Sequence, residues 1–279
     1  MIPFDVSSVK GDLNIGKVSW EAPSNIALVK YWGKKGLQLP MNSSLSLSLS
    51  SSKTRTTLSW KKKSDGKGVT FDLFFEGKKK LQFQKKISTF LQRVEEKIPS
   101  LKDYHLQFDS ENTFPHSVGI ASSASSMASL ALCLGSFAAY SGVESFLGDT
   151  FFKEVSSIAR LGSGSACRSI YGGWASWGPY QIDDNEKGSN FYATPFTRID
   201  SLFEEMSDFI LIVDSAPKKV SSTKGHSLME GHPFTKGRVA QAEKNMKMLL
   251  EALEGGNWGV FQNVVENEAL SLHSLMMSS

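Results

Sequence analysis

The chain has 279 residues, of which 40% are hydrophobic and 21% charged, with a net charge of +3. This length allows one large domain or two ordinary ones, and the composition is that of a globular protein. So small a positive charge gives no basis for binding nucleic acid or a membrane surface through charge alone. The two cysteines, Cys133 and Cys167, are not spaced as a disulfide framework and point to a reducing, cytoplasmic compartment.

Met1–Val6 has neither the basic start nor the apolar core of a signal peptide, and no uninterrupted apolar run is long enough to span a bilayer. Val18–Trp20 and Ala27–Val29 flank Ala22–Asn25, which predicts a strand, a turn, and a second short strand or helical turn. Leu45, Leu47 and Leu49 alternate with serines, the period-two signal of a half-buried strand. Thr54–Trp60 and Val69–Phe75 predict further strands, with Lys61–Lys67 as a charged hairpin turn between them. Ile87, Phe90, Leu91, Val94 and Ile98 recur at helical spacing and predict an amphipathic helix ended by Pro99.

A strand at Tyr104–Phe108 precedes the Gly/Ser stretch Phe114–Ser126, which leads into an apolar small-residue helix. Phe151–Leu161 predicts another helix, and Gly172–Gly178 extended structure. Asp183–Asn190 is polar and turn-rich, so a domain boundary is placed there, dividing the chain into residues 1–188 and 189–279. Phe209–Val213 has the pattern of a buried strand, and helices are expected at Arg238–Glu254 and Trp258–Met276, separated by Gly255 and Gly256. Strands first, then strands mixed with helices, define an α+β protein.

Four segments carry residue types suited to anions. Phe114–Ser126 feeds glycine and serines into a helix start, where free N–H groups and the helix dipole favour a phosphate; a serine-rich cap without ligand fits the same residues. Lys30, Tyr31 and Lys34 place two ammonium groups and a phenol within five positions, a set that suits an anionic ligand or else a strand with two surface lysines. In Arg160–Ser169, Gly162 and Gly164 alternate with Ser163 and Ser165. Arg168 follows, placed either to grip a carboxylate or phosphate or to face solvent. Pro217–His226 offers two serines, a threonine and three lysines after the expected buried strand. The five histidines show no zinc-ligand spacing, and neither a G-x-S-x-G elbow nor a Walker A ending is present.

Together these segments resemble the GHMP kinase superfamily and, within it, the diphosphomevalonate decarboxylase family. The superfamily's phosphate loop is matched by Pro115–Ala124. The narrower resemblance rests on Asn25–Lys34 with Asn42–Ser44, on Gly162–Arg168, and on Val220–Thr223. It implies the two-domain α/β sandwich of the GHMP kinase fold, with a ribosomal protein S5 domain 2-like N-terminal domain and a ferredoxin-like C-terminal domain. It also implies ATP-dependent decarboxylation of mevalonate 5-diphosphate to isopentenyl diphosphate, with ATP and Mg²⁺ required. By resemblance, Tyr31, Lys34, Ser163 and Ser165 hold the diphosphate, with Ser222 adding a contact. Arg168 and Asn25 serve the carboxylate end, and Lys30 lies close to the transferring phosphoryl group. Gly119, Ser122 and Ser123 bind the ATP phosphates, with Ser123 as a magnesium ligand. A cytoplasmic homodimer is implied, with no nucleic-acid or membrane partner. The family's Asp-Ala-Gly-Pro-Asn-like motif has no match here, so a C-terminally shortened second domain is expected. That departure keeps two other readings open. One is a mevalonate- or phosphomevalonate-type kinase without decarboxylation, and the other a catalytically impaired binding form.

Overall fold

The computed structural model describes residues 10–64, 68–115, 120–181, 187–211 and 222–278. In chain order the strands are β1 (Lys10–Gly11), β2 (Ile15–Val29), β3 (Lys34–Lys35), β4 (Leu39–Pro40), β5 (Ser44–Lys62), β6 (Thr70–Phe75), β7 (Lys78–Lys79), β8 (Tyr104–Asn112), β9 (Trp174–Trp177) and β10 (Thr194–Pro195). The helices are α1 (Gln84–Glu95), α2 (Ser122–Tyr140), α3 (Phe151–Gly162), α4 (Ser222–Ser227), α5 (Thr235–Glu254) and α6 (Trp258–Met277). The chain is α+β, and it divides into two compact units, each discontinuous in sequence. Unit 1 comprises residues 1–24, 50–116 and 121–170; unit 2 comprises 25–49, 117–120 and 171–279.

Unit 1 is a mixed sheet in the order β1-β2-β5-β8-β6-β7, with β5 antiparallel and β6 parallel to β8. The expected hairpin across Lys61–Lys67 does not form, because β8 takes the place between β5 and β6; residues 65–67 lie outside the described residues. The two strands expected at Leu45–Leu49 and Thr54–Trp60 are one, since residues 44–62 contain no glycine, proline, asparagine or aspartate to end them. The turn expected at Ala22–Asn25 is also absent. Pro23 sits within β2, whose outer neighbour β1 pairs, among the described residues, with Gly16 and Lys17 alone, so there its missing N–H leaves no ladder bond unmade on that edge.

Helix α1 buries Ile87, Phe90, Leu91 and Val94, as its spacing predicts. Helix α2 is buried along nearly its whole length. Its length and composition would also suit a membrane span, but its burial is that of a core helix. Its serines explain how it lies on a sheet without stranding polar groups. Ser125 shares a 2.7 Å hydrogen bond with Thr54 of β5, Ser129 one of 2.7 Å with Thr56, and Ser136 accepts one of 2.7 Å from the Trp20 indole. Gly135 lets α2 pack closely on α3, because a Cβ there would collide with Val155 Cγ2.

In unit 2, β9 pairs antiparallel with the start of β5, Ser44 opposite Trp177, and β10 pairs with β9. Ser44, Leu45 and Ser46 are all buried, so this end of β5 is covered on both faces rather than half-buried. The core gathers Val29, Leu45, Trp174, Phe196 and Phe203 against Met246, Leu249, Leu253, Phe261 and Val264 of α5 and α6. Gly256, at φ 66°, turns the chain between those helices, and Asn257 caps α6 by accepting the Val260 N–H at 3.1 Å. The buried strand expected at Phe209–Val213 is corrected. Phe209 and Leu211 are 86% exposed and no strand is assigned, because no other described strand lies alongside to complete a ladder. Residues 212 and 213 lie outside the described residues.

Candidate functional site

In unit 1 the site begins where α2 begins. Ala121 turns the chain into the helix in the left-handed region, at φ 47°, and as the N-cap residue makes no side-chain capping bond. Ser122 and Ser123 open the helix, one turn earlier than the small-residue run suggested, so their amides belong to the electropositive end. Ser123 Oγ donates to Ser163 Oγ at 3.1 Å and accepts from Lys86 Nζ at 3.2 Å. The structure therefore brings together two serines from separate sequence segments and a lysine that the motifs did not contain. Lys86 stands on α1 beside a cavity of about 230 Å³ lined by Leu73, Phe75, Phe83, Ile87, Ser122 and Ser123. Desolvation there lowers the pKa of its ammonium. Gly119, expected in the same loop, lies outside the described residues.

Ser163 ends α3, and residues Gly164–Ile170 form a 3-10 helix that carries Ser165 and Arg168. Arg168 is 1% exposed, which removes the reading of a solvent-facing arginine. Arg160 of α3 is also buried, and desolvation lowers its pKa. Both guanidiniums act on Cys167, yet burial dominates and pushes its thiol up to about 12. Cys133 is likewise buried and pushed up to about 12. Neither cysteine is a nucleophile.

In unit 2 the stretch Lys30–Lys34 follows β2 directly. Asn25 is buried in β2, and Lys30 folds its ammonium back onto the Ala27 carbonyl at 2.5 Å. Tyr31 is stacked on the His226 imidazole with ring centroids 4.7 Å apart, and its edge meets Trp177. Trp32 touches the same imidazole at 4.7 Å and lies so close to Gly225 that a Cβ there would stand 2.7 Å from its ring. His226 Nδ1 accepts the Gly33 N–H at 3.2 Å. Gly33 itself, at φ 91°, leaves no room for a side chain beside Met41. Burial, and then the Lys34 ammonium, push the His226 pKa down to about 3, so the ring is a neutral acceptor at physiological pH. Asn42 ties this turn together, accepting from Trp32 N and donating to the Lys30 carbonyl, each at 3.2 Å. The sequence marks His226 only as the end of the Pro217–His226 segment and gives it no zinc-ligand spacing; its stacking partners lie far away along the chain, and no local pattern announces them. Ser222 opens α4, but its side chain lies outside the described set.

Each unit thus presents cations and hydroxyls of the kind that hold phosphate and carboxylate, one beside a helix start, the other on a glycine-hinged turn. That is the equipment of a phosphoryl-transfer protein of the GHMP type. A family model for the diphosphomevalonate decarboxylase-like N-terminal domain matches residues 22–189. The diphosphomevalonate decarboxylase ERG19 of Gibberella zeae is 33% identical over 94% of this chain and 69% of its own length. The crystal structure of mevalonate diphosphate decarboxylase from Staphylococcus aureus superposes with a TM-score of 0.76 at 28% identity, covering 94% of this chain and 74% of that one. A further similar structure, with a TM-score of 0.73 and 27% identity over 94% of this chain and 75% of its own, is a complex with MVAPP, AMPPCP and magnesium. The chain belongs to the diphosphomevalonate decarboxylase family.

The unit 1 residues fit a nucleotide. The cavity walls are apolar enough for a base, and Lys86, Ser122 and Ser123 supply donors beside it. No group of three or more His, Cys, Asp or Glu is found among the described residues, and Ser123 Oγ is already shared between Lys86 and Ser163. This donor set suits magnesium that arrives on the phosphates rather than a resident ion.

Proposed function

We propose that the chain catalyses ATP-dependent decarboxylation of mevalonate 5-diphosphate to isopentenyl diphosphate. The observation that carries this reading is similarity to decarboxylases along 94% of the chain, reaching through both units rather than the phosphate loop alone. The γ-phosphoryl group passes from ATP to the tertiary C3 oxygen as its bond to ADP breaks and the hydroxyl proton is released to solvent, so that oxygen departs later as part of phosphate. The C–CO₂ bond then breaks, its electron pair forms the alkene, and phosphate departs, so each turnover yields ADP, phosphate, carbon dioxide and isopentenyl diphosphate.

Little covalent work falls to the protein, and positioning and charge stabilisation dominate. In unit 1, Ser122 and Ser123, with Gly119, bind the nucleotide phosphates. Magnesium carried by the nucleotide would screen their charge, and Ser123 would reach it by exchanging its bonds to Lys86 and Ser163. Lys86 steadies Ser123 from the cavity side. Ser163 and Ser165 donate to the substrate's diphosphate, and Arg168 grips its carboxylate with two parallel hydrogen bonds. In unit 2, Tyr31 and Lys34 serve the diphosphate with Ser222, Asn25 orients the carboxylate end, and Lys30 neutralises charge on the transferring phosphoryl group. The reading extends to a cytoplasmic enzyme, supported by two free buried thiols, and to a homodimer, supported by family resemblance alone.

The test is stoichiometric. With mevalonate 5-diphosphate and MgATP, carbon dioxide and ADP are expected in equal amounts, and Arg168→Met is expected to lower kcat/KM at least a hundredfold. ADP released without carbon dioxide would establish a kinase instead.

A further inference from the structure

Two helices of unit 2 converge on one residue's backbone. Lys30 is the first residue beyond β2, where ladder pairing has ended and its N–H and C=O need other partners. Glu268 of α6 accepts the Lys30 N–H at 3.1 Å, and Arg238 of α5 donates to the Lys30 carbonyl at 2.8 Å. The two side chains are joined to each other by two hydrogen bonds of 2.7 Å and are 1% and 0% exposed. Asn245 adds a 2.9 Å bond to Glu268, and Asn42 a second donor to the Lys30 carbonyl.

A buried ion pair is a poor source of stability. Desolvation offsets its attraction, and apolar residues of similar volume serve as well or better. Arg238 carries a further cost, because its Nε is buried with no hydrogen-bond partner among the described residues. Apolar residues could not supply a donor and an acceptor aimed at the two sides of a single residue. We propose that Arg238 and Glu268 are positioning residues that fix the Lys30 backbone, and so the point from which the Lys30 side chain reaches the reacting phosphoryl group. This rests on the role given to Lys30 above. A displacement of about 1 Å in such a group costs on the order of a hundredfold in rate.

The paired replacement Arg238→Met with Glu268→Leu separates positioning from stability. The folded double variant is expected to keep its thermal midpoint and a KM for mevalonate 5-diphosphate within twofold. Its kcat is expected to fall at least tenfold, and hydrogen exchange at the Lys30 amide to quicken at least tenfold. Arg238→Lys keeps the charge but not the two-pronged geometry, and should lose kcat in the same way even if the double variant does not fold. Wild-type kcat in either folded variant overturns the proposal. Lys30→Met is the control. If it alone abolishes turnover while both pair variants keep it, the positioning inference fails and the role of Lys30 stands. If Lys30→Met turns over normally, the role of Lys30 falls and the proposal with it.

Discussion

His226 shows how a single neutral ring can set an acid limit on the fold. The unfolded chain takes up this proton near the ordinary 6.5, while the folded one, with the ring buried and facing Lys34, does so only near 3. Between those values the unfolded state binds more protons, so stability falls as pH falls, by ~1.4 kcal/mol per pH unit from this group. Above 6.5 neither state is charged, and the group adds no slope. His226→Phe, which keeps a stacking ring but cannot take the proton, is expected to flatten the denaturation midpoint between pH 6.5 and 5; urea titrations at several pH values measure it, and an unchanged slope would exclude the effect. At this scale the sequence was legible where identity alone sufficed. Arg168, Tyr31 and Lys34 were singled out from local patterns, whereas Lys86, Arg238 and Glu268 stand out only through contacts made across long stretches of chain.

Helix α2 was recognised for its serines, but those serines divide into two kinds. Ser122 and Ser123 open the helix, whereas Ser125 and Ser129 bond Thr54 and Thr56 in the core. The spacing of four in the helix against two in β5 held that signal, once the two elements are known to face each other. Close approach of α2 and α3 depends on Gly135. Gly135→Ala gains about 1 kcal/mol of helix propensity but forces a methyl group into Val155, an overpacking cost of about 1–3 kcal/mol. A net loss of up to about 2 kcal/mol is expected by urea denaturation, reversed in part when Val155→Ala makes room. If Gly135→Ala is instead stabilising, the contact is not tight. Element types were mostly readable from periodicity. The errors came at Pro23 and Lys61–Lys67, where pairing partners decide whether a turn signal is obeyed.

For the molecule as a whole, class and family were readable, because several anion-binding segments in one order constrain a chain far more than any one of them. Burial was less so. Phe209–Leu211 has the composition of a core strand, yet Phe209 and Leu211 stand in solvent. Exposed apolar side chains side by side promote association. Phe209→Ser with Leu211→Ser is expected to reduce binding of an apolar dye and light scattering at high concentration while leaving the thermal midpoint unchanged. A lowered midpoint would mean that these side chains are packed. The pairing of Ser44 with Trp177 has a consequence in time as well as in space. A ribosome adding roughly 5–20 residues per second needs on the order of ten seconds to make the chain between them. For most of that interval Val29, Leu45 and Leu47 have been made, while β9 and the helices that will cover them have not yet been synthesised. The nascent chain therefore carries a sticky, unfinished half, and the yield of folded protein in the cell will depend on how well chaperones shield it.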